Sequence, residues 1–106
     1  MSRLAVVLPL RPGSREVARM LIDAGPPFEL AGTPFERHAV FLSDAEVVFV
    51  FDGPDVRGAI EELVGDSDVW RAAAAWREIA DGRPRVAEAL FGWDRPPPLP
   101  MHVPGF

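Results

Sequence analysis

The stretch RHAVFLSDAEVVFVFDG, residues 37–53, decides how the rest of this 106-residue chain is read. Two runs rich in Val and Phe flank a short polar turn at Asp44 and Ala45. That spacing predicts an antiparallel hairpin, with strands from Phe35 to Ser43 and from Glu46 to Asp52. The run VVFVF is apolar at both parities, as is LAVVL at 4–8. Strands of this kind are buried on both faces.

Upstream, Arg3 to Leu10 reads as the first strand, with Pro9 tolerable near the end where the chain leaves the sheet. The turn PGS follows, with Ser14 as N-cap and Glu16 in the first helical turn, where the helix dipole favours an acid. Val17, Met20, Leu21 and Ala24 then predict one buried helical stripe, which Gly25, Pro26 and Pro27 end.

Downstream of the hairpin, Asp55 caps a second helix whose inner stripe is Val56, Ala59, Ile60, Leu63 and Val64. Residues 65–68 interrupt it. Ser67 or Asp68 then caps a third segment reaching Ala80, with Val69, Ala73, Trp76 and Ala80 inward. RVAEALFGW, 85–93, is the last strand. DRPPPLPMHVPGF, 94–106, holds five of the twelve prolines and is expected to be extended.

The order is therefore β, α, β, β, α, β: a ferredoxin-like α+β arrangement with a four-stranded antiparallel sheet and helices on one face. Helices on one face leave the other apolar face to be covered, and a second copy of the chain is the simplest cover. The expected organisation is one domain over 1–93 and a proline-rich C-terminal extension over 94–106, which either packs on its own dimer or acts as a docking motif.

Composition closes several function classes. There is no cysteine, which removes disulfides, thiolate metal sites and cysteine nucleophiles. Lys, Asn, Gln and Tyr are absent too, which removes Schiff-base lysines, amide oxyanion donors and tyrosine acids. A net charge of −5 argues against nucleic acid or an anionic membrane as partner. LAVVLPL lacks the small-residue cleavage site of a signal peptide, and no apolar run approaches the roughly 18 residues of a membrane span. A soluble, cytoplasmic protein is expected. No Walker loop, GxGxxG or GxSxG is present, and two distant histidines make a metal site improbable; no cofactor is expected.

With PG after the first strand, FDG closing the third and a tryptophan-bearing helix before the last, residues 3–93 resemble the dimeric α+β barrel superfamily. That superfamily includes antibiotic-biosynthesis monooxygenases, haem-degrading monooxygenases, L-rhamnose mutarotases and stress-responsive barrel proteins. The resemblance implies a homodimer whose sheets face one another, with a cleft in each subunit. It does not carry an activity across residue by residue. The mutarotase histidine of the first helix has no counterpart in SREVARMLIDA, and Trp70 and Trp76 echo its paired tryptophans only loosely. His38 lies on a strand and His102 in the tail, whereas haem-degrading members use a helical histidine. The asparagine of the cofactor-independent monooxygenases is missing.

Two ionisable residues stand out as candidate catalytic groups. His38 shares strand parity with Val40 and Leu42, and facing a barrel interior it would suit a general acid or base; otherwise it is a strand-end histidine bonded to a backbone carbonyl. Glu88 is the one charge in VAEALFGW, and is either a buried, functional carboxylate or an edge residue paired with an arginine such as Arg3 or Arg37. The two would lie at opposite sheet edges and meet only across a dimer interface. Phe41, Phe49, Trp70 and Trp93 are candidate ligand-binding residues, with core packing and dimer contact as the alternatives.

The leading expectation is a homodimer that binds a small apolar organic molecule. The alternatives are a cofactor-independent monooxygenase or isomerase using His38 and Glu88 for proton transfer, and a structural or regulatory dimer without a ligand.

Overall fold

The computed structural model describes residues 2–98. Its four strands are β1 (Ser2–Pro9), β2 (Arg37–Leu42), β3 (Glu46–Gly53) and β4 (Arg85–Glu88), joined in the spatial order β2-β3-β1-β4. Every pairing is antiparallel, as the βαββαβ reading requires. β1 and β3 form the centre, paired from Ser2↔Gly53 to Pro9↔Glu46. Pro9 has no N–H for the ladder and sits at its end, where its carbonyl accepts from the Asp81 N–H at 2.8 Å. The β2–β3 turn is held by Ser43, whose N–H donates to the Glu46 carbonyl at 2.9 Å and whose Oγ accepts from the Ala45 and Glu46 N–H groups.

Period-two alternation divides the sheet into two faces. Leu4, Leu8, Val47 and Phe51 are buried beneath the helices, with Val6, Val40, Leu42 and Phe49 partly buried among them. The opposite face carries Ala5, Val7, Val48 and Val50 on the central strands and Ala39 and Phe41 on β2. Among the described residues nothing covers that face as a layer, and Phe41 is 61 % exposed on it. At its end, Asp52 is buried between Arg3 and Arg37, and the Arg3 guanidinium donates to both carboxylate oxygens at 2.6 and 3.2 Å. The hydrogen bond from Arg3 and its charge hold the Asp52 carboxyl below the usual carboxylate range against the opposing effect of burial.

The helices are α1 (Arg15–Ala24), α2 (Val56–Gly65), α3 (Ser67–Ala72) and α4 (Ala74–Ile79). Three expectations about them need correction. In α1 the buried stripe is not Val17, Met20, Leu21 and Ala24: Ala18 is fully buried, Leu21 and Ile22 pack partly, and Val17 and Met20 are 45 % and 70 % exposed. Ala18 turns inward because its small side chain lets α1 lie close over Leu8, Val47 and Trp76. Ser14 makes no side-chain cap bond; its φ of −92° and ψ of 0° are helical, and a capping side chain needs an extended backbone. The single third helix is two short ones, divided at Ala73, and Asp66 caps the first of them by accepting from the Asp68 N–H at 2.8 Å.

β4 is also shorter than the expected 85–93 strand. Its register pairs Glu88 with Leu4, the last row that α2 covers through Val56 and Ile60. Residues 89–98 are instead exposed and outside regular structure, and 99–106, the rest of the expected extension, lie outside the described residues.

These contacts predict two outcomes. Ala18→Leu should cost about 1–3 kcal/mol by overpacking, whereas Met20→Ala should stay within about 0.5 kcal/mol, both read by urea denaturation. Because the folded state lowers the Asp52 pKa, its contribution is complete above the ordinary carboxylate value near about 4 and is lost as pH falls through the lowered one. Arg3→Met should therefore flatten the loss of stability between about pH 5 and pH 2, measured by urea melts across that range.

Candidate functional site

The apolar residues beneath the helices form two separate clusters. Leu8, Leu10, Ala18, Val47 and Trp76 pack at one end, and Leu4, Phe51, Val56 and Ile60 at the other, with Phe49 touching both. Between them the helical layer leaves a cleft of about 510 Å³. That volume lies in the range of small-molecule sites. Its floor is sheet: Val6, Val40, Phe49 and Phe51.

Local sequence builds the walls. Gly25 caps α1 at a φ of +95°, a conformation that suits glycine, and Pro26 and Pro27 then force the chain out of the helix and bring Phe28 to one side. Leu63 and Val64 of α2 form part of the other side. Trp70 and Trp76 come from the broken helix pair. In an unbroken helix these tryptophans, six residues apart, would project about 120° from one another. With the division at Ala73 both line the cleft. The Trp70 indole N–H donates to the Val64 carbonyl, and Phe49 meets Trp76 edge-on at 5.4 Å between centroids.

His38 enters the cleft from β2. Its ring lies over Phe51, 4.4 Å between centroids and tilted by 21°. Nδ1 is 3.0 Å from the Val50 carbonyl oxygen. A carbonyl only accepts, so Nδ1 is the donor in this contact, and in the neutral tautomer that it selects Nε2 carries the lone pair. The carbonyl-bonded histidine and the cleft-lining histidine are thus one and the same residue: one nitrogen fixes the ring and the other stays available to a bound molecule.

The structure brings His38, Phe49 and Trp70 together in the cleft and places the other candidates elsewhere. Glu88 projects to the same sheet face as His38 and in the same row, with Leu4 and Phe51 between them. Three strand spacings separate the two backbones by roughly 14 Å. Glu88 pairs with Arg57 rather than Arg3 or Arg37, and both partners of that ion pair are more than half exposed. Since both candidates face the helices, joining two chains through the open face would not bring them into contact. Phe41 is on that open face, because its parity is opposite to that of His38 and Val40. Trp93 follows β4 and is 63 % exposed, with the Arg95 guanidinium 5.1 Å from its ring centroid. His102 lies outside the described residues, and among the described residues no group of His, Asp and Glu side chains is placed to hold a metal ion.

Sequence reading missed Phe28, Arg77 and Arg83 as cleft residues. Phe28 carried a usable signal, since an aromatic residue after GPP must return to the sheet. The two arginines carried none, because their position depends on the break at Ala73 and on the turn at Gly82.

No protein-family model matches the chain, and a search of curated proteins finds no match. Among solved structures, a crystal structure of an antibiotic biosynthesis monooxygenase superposes with a TM-score of 0.56 at 15 % identity, over 92 % of this chain and 100 % of that one. The two share a fold. A candidate antibiotic biosynthesis monooxygenase from Chloroflexus aurantiacus J-10-fl aligns with a TM-score of 0.47 at 16 % identity, over 88 % of this chain and 98 % of that one. The ferredoxin-like α+β fold expected from the sequence is therefore shared with the first of these structures over 92 % of this chain.

The His38 geometry predicts that His38→Phe, which keeps the aromatic stack but removes the bond to Val50, lowers stability by only about 1 kcal/mol in urea denaturation.

Proposed function

We propose that the protein is a cytoplasmic homodimer that binds a small, largely apolar organic molecule in the cleft of each subunit. The observation that carries this reading is the cleft itself: about 510 Å³ floored by Val and Phe, walled by Trp70 and Trp76, and offering His38 Nε2 as a hydrogen-bond acceptor. Apolar lining with few, fixed polar groups is what recognition of such a molecule needs. The volume favours binding over a dimer with a filled core. No helix among the described residues is long and apolar enough to cross a membrane.

Dimerisation joins the open sheet faces, where Phe41 is exposed and Val7 and Val50 are half-buried. The domain comprises residues 1–93, and 94–106 form a C-terminal extension. Leu90, Phe91 and Trp93, all highly exposed, lead into that extension and supply further apolar surface to a partner.

A second reading, a monooxygenase or isomerase without a cofactor, draws support from His38, whose ring is fixed by the Val50 carbonyl at the cleft wall, where a general acid or base is needed. Turnover lost in His38→Phe while binding persists would favour it.

The test combines native mass spectrometry with titration of N-phenyl-naphthylamine, a neutral apolar dye. A dimer and saturable dye binding are expected, with Val50→Asp giving monomers and Val40→Trp, which fills the cleft floor, abolishing binding. A monomeric native chain, or a dye that does not bind, overturns the corresponding half of the reading.

A further inference from the structure

The ionisable side chains lining the cleft are His38, Arg77 and Arg83. None of the chain's 16 acidic residues is among them, although the molecule as a whole carries a net charge of −5. Arg3, Arg15, Arg57 and Arg71 are each held in an ion pair with an Asp or Glu. Among the described residues Arg77 and Arg83 are in none.

Both arginines are set in place by the fold. Arg77 follows Trp76 on α4, about 100° round the helix from it, and stands exposed at the rim of the cleft. Arg83 follows Gly82, whose φ of +117° turns the chain, and that turn is anchored on both sides. Before it, the Asp81 N–H donates to the Pro9 carbonyl at 2.8 Å; after it, Arg85 pairs with Val7. Arg83 therefore approaches from the β4 edge of the sheet, whereas His38 stands on β2 at the opposite edge. The cleft thus has an apolar lining, two arginines among its walls and a histidine at its β2 edge.

We propose that the bound molecule is an apolar acid, whose hydrocarbon or aryl body rests on Phe49, Trp70 and Trp76 and whose carboxylate is received by Arg77 and Arg83. The proposal rests on the binding function assigned to the cleft and names its ligand class. Guanidinium groups present a planar fork that matches a carboxylate, and a site without acids adds no repulsion to an anion. A neutral ligand of the same shape would leave both arginines without a partner and gain only the apolar contacts. His38, on the strand at the opposite edge from Arg83, is placed to hydrogen-bond a hydroxyl at the far end of the body.

The experiment displaces N-phenyl-naphthylamine from the native protein with decanoate or with decanol, two ligands that share a chain length and differ in the head group. Decanoate is expected to displace the dye at a concentration about tenfold lower than decanol, the scale of one well-formed charged contact. Added salt should weaken decanoate alone, and Arg77→Gln with Arg83→Gln should remove the preference for decanoate over decanol. Equal displacement by the two ligands in the native protein overturns the proposal and leaves the cleft as a binding site. Failure of the dye to bind at all overturns the binding function and this proposal with it. The native comparison decides the matter even where the double variant does not fold, and the two single variants, each at an exposed position, then apportion the effect.

Discussion

The eight-rung ladder between β1 and β3 is the constraint on which the rest of the structure depends. Both strands are apolar at both parities, so each central position has a hydrophobic side chain above the sheet and another below it. The upper set organises the helices: Leu8 and Val47 seat α1 and Trp76, while Leu4 and Phe51 seat α2. Among the described residues the lower set has no helix to meet. Antiparallel pairing of the first and third strands also forces β2 and β4 to the two edges, and this separates His38 from Glu88.

The cleft follows from how short the helices are. α3 and α4 have six residues each and α1 and α2 have ten, so no single helix runs the length of the sheet, and the helical layer seals the two ends without closing the middle. Phe49 lies at that gap and belongs to both flanking clusters. The break at Ala73 directs two tryptophans into one space, and the Gly25-Pro26-Pro27 segment closes a wall with Phe28. Backbone turns at glycine and proline therefore shape the site as much as its aromatic side chains do.

The element order, the hairpin, the terminating Gly-Pro-Pro, the Asp55 cap and the inner stripe through Val69, Ala73 and Trp76 were all legible in the sequence, because each depends on local periodicity or turn chemistry. The phase of α1 was not. Val17 and Met20 lie on one side of Leu21 and Ala18 and Ile22 on the other, so two overlapping apolar stripes satisfy the same helical spacing. Only the approach to Trp76 and Val47 selects between them, and it selects the small Ala18. The length of β4 was illegible too: strand propensity continues to Trp93, but the pairing with β1 stops at Glu88, in the Leu4 row.

Of the candidate site, His38, Phe49 and Trp70 were visible as residue types in suggestive places, and their convergence was not. By itself the sequence determined a ferredoxin-like α+β chain with too much apolar strand for one layer of helices, since alternation and composition act over a few residues. Tertiary structure alone decided which face His38 shares with Phe49, that Glu88 pairs with Arg57, and that Arg77 and Arg83 stand beside an apolar cleft without an acid in its lining. Those relations join residues tens of positions apart in the chain, and no local preference carries them. They exist only once the ladder has brought the strands into register and the helices have been packed over one side of it.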